Sequence, residues 1–336
     1  MRERLDLAAT GTPMQPMQRL GAALGFEEGM LWVKRDDLTG LVGGGNKARK
    51  LEYLLADALD KGCDVLVTGG APQSNHVRAT AAAAAKSGLR CVAVLAGDGS
   101  FDVDGNLLLD ELLGAEIVWS GEWDAVGVER KLAETCLRLE SEGARPYEVP
   151  LGGASEVGTL GYVAAAEEIA RQAPPGAVVY TASGTGGTQA GLVVGFGHHS
   201  RVVGVDVGAL EDLPDRIDRL VAATASAAEM PMPDGRIRLD RDHVGPGYGV
   251  PSEEALEAIA LVARTEGLVL DPVYSAKAMA ALIDDSRSGR LQPDRPVVFL
   301  HTGGLPSVFS SNYAEAILRA VRAGGVEPPR AGPTGT

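Results

Sequence analysis

Short apolar runs recur along this chain, separated by longer stretches in which apolar residues return on a helical period. Runs at residues 31–34, 64–68, 90–95 and 116–120 read as buried strands, whereas 46–61, 74–87 and the segment after Asp104 read as amphipathic or alanine-rich helices. A second series continues the alternation: helix 161–172, strand 177–181, helix 188–196, strand 201–206, helix 252–266, strand 268–270, helix 275–284, strand 296–301 and a terminal helix. Strands alternating with helices predict βα winding, hence parallel sheets covered by helices on both faces. The expected fold class is α/β, with two open, mostly parallel twisted sheets. No repeat of solenoid type is present, and residues 324–336, rich in Gly and Pro, predict a frayed end.

Composition agrees with layered packing. A chain of 336 residues is long enough for two domains, and with aromatics at only 4% its cores must be built from Leu, Val, Ile and Ala. A formal charge of −14 argues against a sequence-independent grip on nucleic acid, which needs clustered cations. Any anion must then be held locally. Cys63, Cys91 and Cys136 form no CxxC and no zinc-type spacing with His, so reduced thiols and no metal are expected. The first ten residues lack an apolar signal region and no apolar run is long enough to cross a bilayer, which predicts a cytoplasmic protein.

Against this background a few polar segments stand out. Lys47 follows Gly43, Gly44 and Gly45 at the start of a helix, where burial would lower its pKa and make the amine a nucleophile toward an aldehyde; a basic surface helix would carry the same residues. Ser183 to Thr188, small residues between a strand and a helix, can point backbone N–H groups at an anion beyond the helix N-terminus. The segment is neither a Walker loop nor a GxGxxG fingerprint, since Gln189 stands where the third glycine would fall. Ser74, Asn75 and His76 open another helix, where Ser74 suits either an N-cap or a carboxylate contact and His76 either a substrate contact or a structural imidazole. Asp271 to Ser275 and His301 to Gly304 also follow strands. In open α/β sheets the carboxyl ends of parallel strands border the ligand crevice, so these segments are expected to converge on one site for a phosphorylated aldehyde.

The segments GGGNKARKLE, GGAPQSNHVRATAAAAA, SGTGGTQAGLVVGF, PGYGVPSEEALEAIALVARTEGLVLDPVYSAKAM and HTGG occur in this order between about residues 31 and 306. They resemble the D-cysteine desulfhydrase and 1-aminocyclopropane-1-carboxylate deaminase branch of the fold-type II, tryptophan synthase β-like, pyridoxal-phosphate enzymes. The resemblance implies pyridoxal 5'-phosphate as cofactor, held covalently by Lys47, which then moves the substrate proton. It further implies a phosphate cradle at Gly184, Thr185, Gly186, Gly187 and Thr188, and a contact from Asn75 to the cofactor's phenolic oxygen. Ser74 and His76 match substrate-facing positions, Tyr248 and Tyr274 two active-site tyrosines, Ser275 the residue beside the pyridine nitrogen, and Thr302 a further cofactor-binding position. A homodimer is implied as well. Residues 1–48 with 156–328 would make the large cofactor domain, 49–155 the small one, and 329–336 a disordered tail.

His76, Ser275 and Thr302 stand where cyclopropane deaminases usually carry Gln, Glu and Leu, and they match the desulfhydrase side. A neutral serine at the ring nitrogen gives a weaker electron sink than a carboxylate, which suffices when a good leaving group departs from Cβ. The expected activity is α,β-elimination of a small β-substituted amino acid, D-cysteine above all, by a carbon–sulfur lyase acting without nucleic-acid or membrane partners. Ring-opening deamination, L-cysteate sulfo-lyase action or β-replacement, and noncatalytic binding of the cofactor are the alternatives.

Overall fold

The computed structural model describes residues 3–322; the expected frayed end at 324–336 and the tail at 329–336 lie outside the described residues. The strands are β1 (Met14–Pro16), β2 (Leu31–Lys34), β3 (Val65–Gly70), β4 (Arg90–Leu95), β5 (Glu116–Trp119), β6 (Pro146–Val149), β7 (Val178–Ser183), β8 (Val202–Asp206), β9 (Leu239–Asp240) and β10 (Val297–Leu300). The helices are α1 (Gln18–Ala23), α2 (Asn46–Asp60), α3 (Asn75–Ser87), α4 (Gly105–Leu112), α5 (Ala125–Ser141), α6 (Leu160–Gln172), α7 (Gly187–Phe196), α8 (Leu213–Ala227), α9 (Glu253–Glu266), α10 (Ser275–Arg287) and α11 (Ser311–Arg322).

Among the described residues the strands form a six-stranded sheet, ordered β1-β2-β10-β7-β8-β9, and a four-stranded sheet, ordered β5-β4-β3-β6. All pairs are parallel except the edge pair, in which β1 runs antiparallel to β2 with Gln15 opposite Val33. Register follows apolar content: Val298 of β10 lies beside Trp32 on one side and Val179 on the other. Strands buried on both faces need such near-continuous apolar runs. Between the sheets, α2, α3, α6 and α7 pack a core that includes Leu51, Leu54, Ala81, Val163 and Leu192. Ile259, Met279, Leu282 and Phe299 fill the outer face of the large sheet, and Val67, Val94, Val128 and Leu132 that of the small one. No helix among the described residues is long and apolar enough to cross a membrane.

One expected strand is absent. Residues 268–270 join no sheet, although Leu268 and Leu270 are buried. They leave α9 through the left-handed Gly267, and the Val269 carbonyl lies 3.1 Å from His301 Nε2 and pairs with no neighbouring strand. The sequence reading also omitted β1, β6, β9, α1, α5 and α8. The arrangement nevertheless aims the carboxyl ends of adjacent strands β10, β7 and β8 of one sheet, and β3 and β4 of the other, at a common cleft.

Candidate active site

The cleft holds a cavity of about 330 Å³ bordered by Lys47, Ser74, Asn75, His76, Gly184 to Thr188, Tyr248, Tyr274 and Thr302. The separate polar segments therefore meet, and the amine at position 47 and the glycine loop around 186 border one space. Ser275 is the exception. It lies behind the lining with its hydroxyl donating to Asp271 Oδ1 at 2.6 Å, and Asp271 is the residue that reaches the cavity.

Lys47 is aimed by the turn before it. Gly44 has φ +65°, and a Cβ there would fall 1.8 Å from the Asp37 carbonyl oxygen, so no other residue fits. Leu41 and Val42 also have positive φ, 52° and 53°, which for a β-branched residue is strained backbone of the kind that gathers at functional sites. Asn46 then locks the turn to the rest of the cleft: its N–H donates to the Thr302 carbonyl at 3.0 Å and its Nδ2 to Thr188 Oγ1 at 2.9 Å. Burial brings the Lys47 amine down to about 8, so a sizeable share is unprotonated and nucleophilic near neutral pH.

Lys50, one turn further along α2, was missed by the sequence reading. It is buried, and burial together with the charges of Lys47 and Arg216 pushes its pKa well down. Both amines donate to a single acceptor, the Gly152 carbonyl, at 3.4 Å from Lys47 and 3.0 Å from Lys50. Neither has a carboxylate partner among the described residues. Across from them lies the bare backbone of Gly187, where a Cβ would stand 2.9 Å from Lys50 Nζ. The α7 N-terminus has no side-chain cap. Unpaired first-turn amides, the helix dipole and an uncompensated ammonium together fit a phosphate dianion, and Lys47 in the same cavity fits the aldehyde of the same molecule.

At the start of α3, Ser74 Oγ accepts from His76 N and Val77 N at 3.3 Å each, which leaves its hydroxyl proton as the donor it can still offer. The N-cap and the substrate contact thus use different parts of one group. Asn75 Oδ1 accepts from Asn106 Nδ2 at 3.0 Å and Arg78 Nη1 at 3.4 Å. That orientation frees the Asn75 NH2 to donate. The same Arg78 donates through Nη2 to the Gly44 carbonyl at 2.9 Å, tying Asn75 to the turn before Lys47. His76 Nε2 lies 3.0 Å from Thr68 Oγ1, and burial with the nearby Lys47 and Lys50 keeps the ring neutral.

The Tyr248 and Tyr274 hydroxyls are 2.5 Å apart, and desolvation raises both phenols, so the pair holds protons at neutral pH. Lys277 fixes the loop carrying Tyr248: buried on α10, it donates to the Val244 and Gly247 carbonyls at 2.7 and 2.8 Å. Asp271 accepts from Val273 N, Tyr274 N and Ser275 N as well as from the Ser275 hydroxyl, and so caps α10. Lys50, Arg78 and Lys277 share a signal the sequence did carry, a cation on a helix face otherwise buried.

Comparison with known proteins bears on this site. The chain is 44% identical over 323 residues to a D-cysteine desulfhydrase of Serratia proteamaculans, covering 91% of this chain and 95% of that one. It is 44% identical over 320 residues to a D-cysteine desulfhydrase of Yersinia enterocolitica, with the same coverage. A crystal structure of an ACC deaminase homologue superposes with a TM-score of 0.87 at 38% identity, covering 95% of this chain and 96% of the other. The expected fold-type II architecture is thus the observed one. A family model described as pyridoxal-phosphate dependent enzyme matches residues 5–303, and this chain belongs to that family of pyridoxal-phosphate-dependent enzymes.

Proposed function

We propose that the chain eliminates the β-substituent of a small amino acid, D-cysteine above all, to give pyruvate, ammonia and hydrogen sulfide. The observation that carries the reading is the Lys47 amine in the same cavity as a phosphate-type loop and a hydrogen-bonded pair of phenols. Similarity to two D-cysteine desulfhydrases supports the substrate.

Bound pyridoxal phosphate would supply an aldehyde for the substrate amine and a conjugated ring to draw off the electron pair left at Cα. Gly184, Thr185, Gly186, Gly187 and Thr188 with Lys50 would hold its phosphate, Asn75 its phenolic oxygen, and Thr302 its ring edge. Ser275 lies behind the cavity lining, so it would act on the ring only through Asp271, the carboxylate that reaches the cavity and accepts from the Ser275 hydroxyl. Ser74 donates to the substrate carboxylate and His76, being neutral, adds no competing charge. Lys47 takes the Cα proton. Tyr248 and Tyr274 pass a proton to the departing sulfur.

The proposed organisation is two domains, 1–48 with 156–328 and 49–155. Every strand between 65 and 149 lies in the four-stranded sheet, which supports that division. A cytoplasmic homodimer is the proposed setting. Free Cys63, Cys91 and Cys136 support a reducing compartment. Exposed Val42, Leu305 and Phe309, gathered where Gly43 packs on Pro306, support a self-contact, which light scattering would test.

The deciding experiment is keto-acid release by purified enzyme from D-cysteine, L-cysteine, L-cysteate, β-chloro-D-alanine and 1-aminocyclopropane-1-carboxylate. Pyruvate and sulfide from D-cysteine are expected. Faster release of 2-oxobutyrate from the cyclopropane substrate, sulfite from L-cysteate as the main product, or no keto acid from any of them overturns the reading.

A further inference from the structure

Part of the cavity wall has no task in eliminating hydrogen sulfide. It comes from the small sheet, where Ala96 follows β4, Val128 of α5 lies over Gly69 at the end of β3, and Trp123 reaches the cavity beside them. The indole is held in place. Its Cη2 would meet a Cβ on Gly97 at 3.3 Å, and it stands edge-on to Phe101 with ring centroids 5.3 Å apart, while Phe101 stacks in turn on Trp119 at 5.5 Å. Yet Trp123 is 68% exposed, so most of its aromatic surface is left uncovered beside the cavity.

The wall also carries no cation. The Asp124 carboxylate is occupied as the N-cap of α5, accepting from Gly127 N at 2.8 Å, and the lysines bordering the cavity, Lys47 and Lys50, lie at the phosphate end. A sulfonate would find no cation here, and a free thiol would leave the apolar surface unused. An aromatic or aliphatic group would cover the indole and displace water from it.

We infer that this wall receives the β-substituent, with Trp123 as its specificity-determining residue, so that the enzyme eliminates bulky apolar thioethers, such as S-benzyl cysteines, alongside D-cysteine. The inference rests on the elimination reading above and names its substrate class. The chemistry balances with water alone: the Cα proton passes to Lys47, the Cβ–S bond breaks with its electron pair on sulfur, sulfur is protonated to a thiol, and hydrolysis of the remaining enamine gives pyruvate and ammonia. Trp123 acts on specificity by holding the departing group.

The test compares kcat/KM for D-cysteine, S-methyl-D-cysteine and S-benzyl-D-cysteine in the holoenzyme, in Trp123→Ala and in Trp123→Phe. The native enzyme is expected to turn over the benzyl thioether as well as D-cysteine. Trp123→Ala should lower the benzyl-to-thiol ratio by about tenfold, mainly through KM, and Trp123→Phe should restore most of it. Failure to turn over S-benzyl-D-cysteine while D-cysteine reacts overturns the inference and leaves elimination standing. An unchanged ratio in Trp123→Ala overturns it too. No keto acid from any of the three removes the elimination reading itself.

Discussion

Two sets of buried charges meet at the first turns of α2, and they are built on opposite plans. Behind the helix, Arg49 and Lys34 are met by Asp36 and Glu168: Arg49 donates to Asp36 through Nε and Nη2 at 2.8 and 2.7 Å and to Glu168 through Nη1 at 3.0 Å, and Lys34 pairs with Glu168. Thr12 and Tyr162 complete the shell around Asp36. In front, Lys47 and Lys50 share one neutral carbonyl. A buried cation is costly unless compensated. The rear cluster carries its own counter-charges and serves the fold, whereas the front pair is left for an anion the chain does not encode. On α2, burial alone therefore does not separate structural from functional cations; the presence of a carboxylate does.

The sharpest way to break the contrast is Lys47→Ala. It should abolish the absorbance at roughly 410–430 nm expected of the lysine-bound cofactor and lower turnover about a thousandfold or more. Retention of both would remove Lys47 from its role. At the rear, Glu168→Gln should cost on the order of 3 kcal/mol in urea unfolding, because Lys34 and Arg49 lose a shared counter-charge. Burial by itself would raise the Glu168 pKa, but hydrogen bonds and charge from Arg49, then Lys34, hold it down to about 2. Its contribution is thus complete above the unfolded carboxylate value of about 4.3 and fades as pH falls through about 2, an acid limb the variant should lack.

Lys50→Met tests the front pair without touching the reactive amine. The expected result is cofactor affinity weakened by about tenfold to a hundredfold in titrations of apoenzyme, with unfolding in urea of the apoenzyme little changed. A destabilised apoenzyme with normal affinity would place Lys50 with the structural charges instead. The smallest effect is in loading kinetics. With the Lys47 amine near 8, the neutral fraction and hence the rate of cofactor capture should rise about tenfold from pH 7 to pH 9. A flat profile would mean that free amine does not limit the step.

Most strands, the glycine turn and the glycine loop were legible because each is a local pattern: an apolar run, or small residues where strand meets helix. Residues 268–270 look like a strand on the same criterion and fail because sheet membership depends on neighbours, here a histidine side chain at the carbonyl that a strand would have used. Short polar edges such as β1 and β9 give no apolar run to read. The site shows the same divide. Lys47 announced itself through its glycines, but the roles of Arg78, Lys50 and Lys277 exist only in what they touch: a carbonyl at Gly44, a loop at Gly187, a pair of carbonyls at Val244 and Gly247. The rear cluster joins residues as far apart as Lys34 and Glu168, a distance no periodicity spans.

Because α2 presents one set of charges on each side, its rotational phase is itself a functional parameter. Each residue advances a helix by about 100°, so inserting a single amino acid between Gly40 and Gly45 and letting the helix absorb it would carry Arg49 into the place of Lys50 at the cofactor cleft and Lys50 into the apolar core place of Leu51. The turn at 41–45, with its succession of left-handed residues and a glycine wedged against Asp37, thus works as an indexing stop that fixes which lysine meets the substrate.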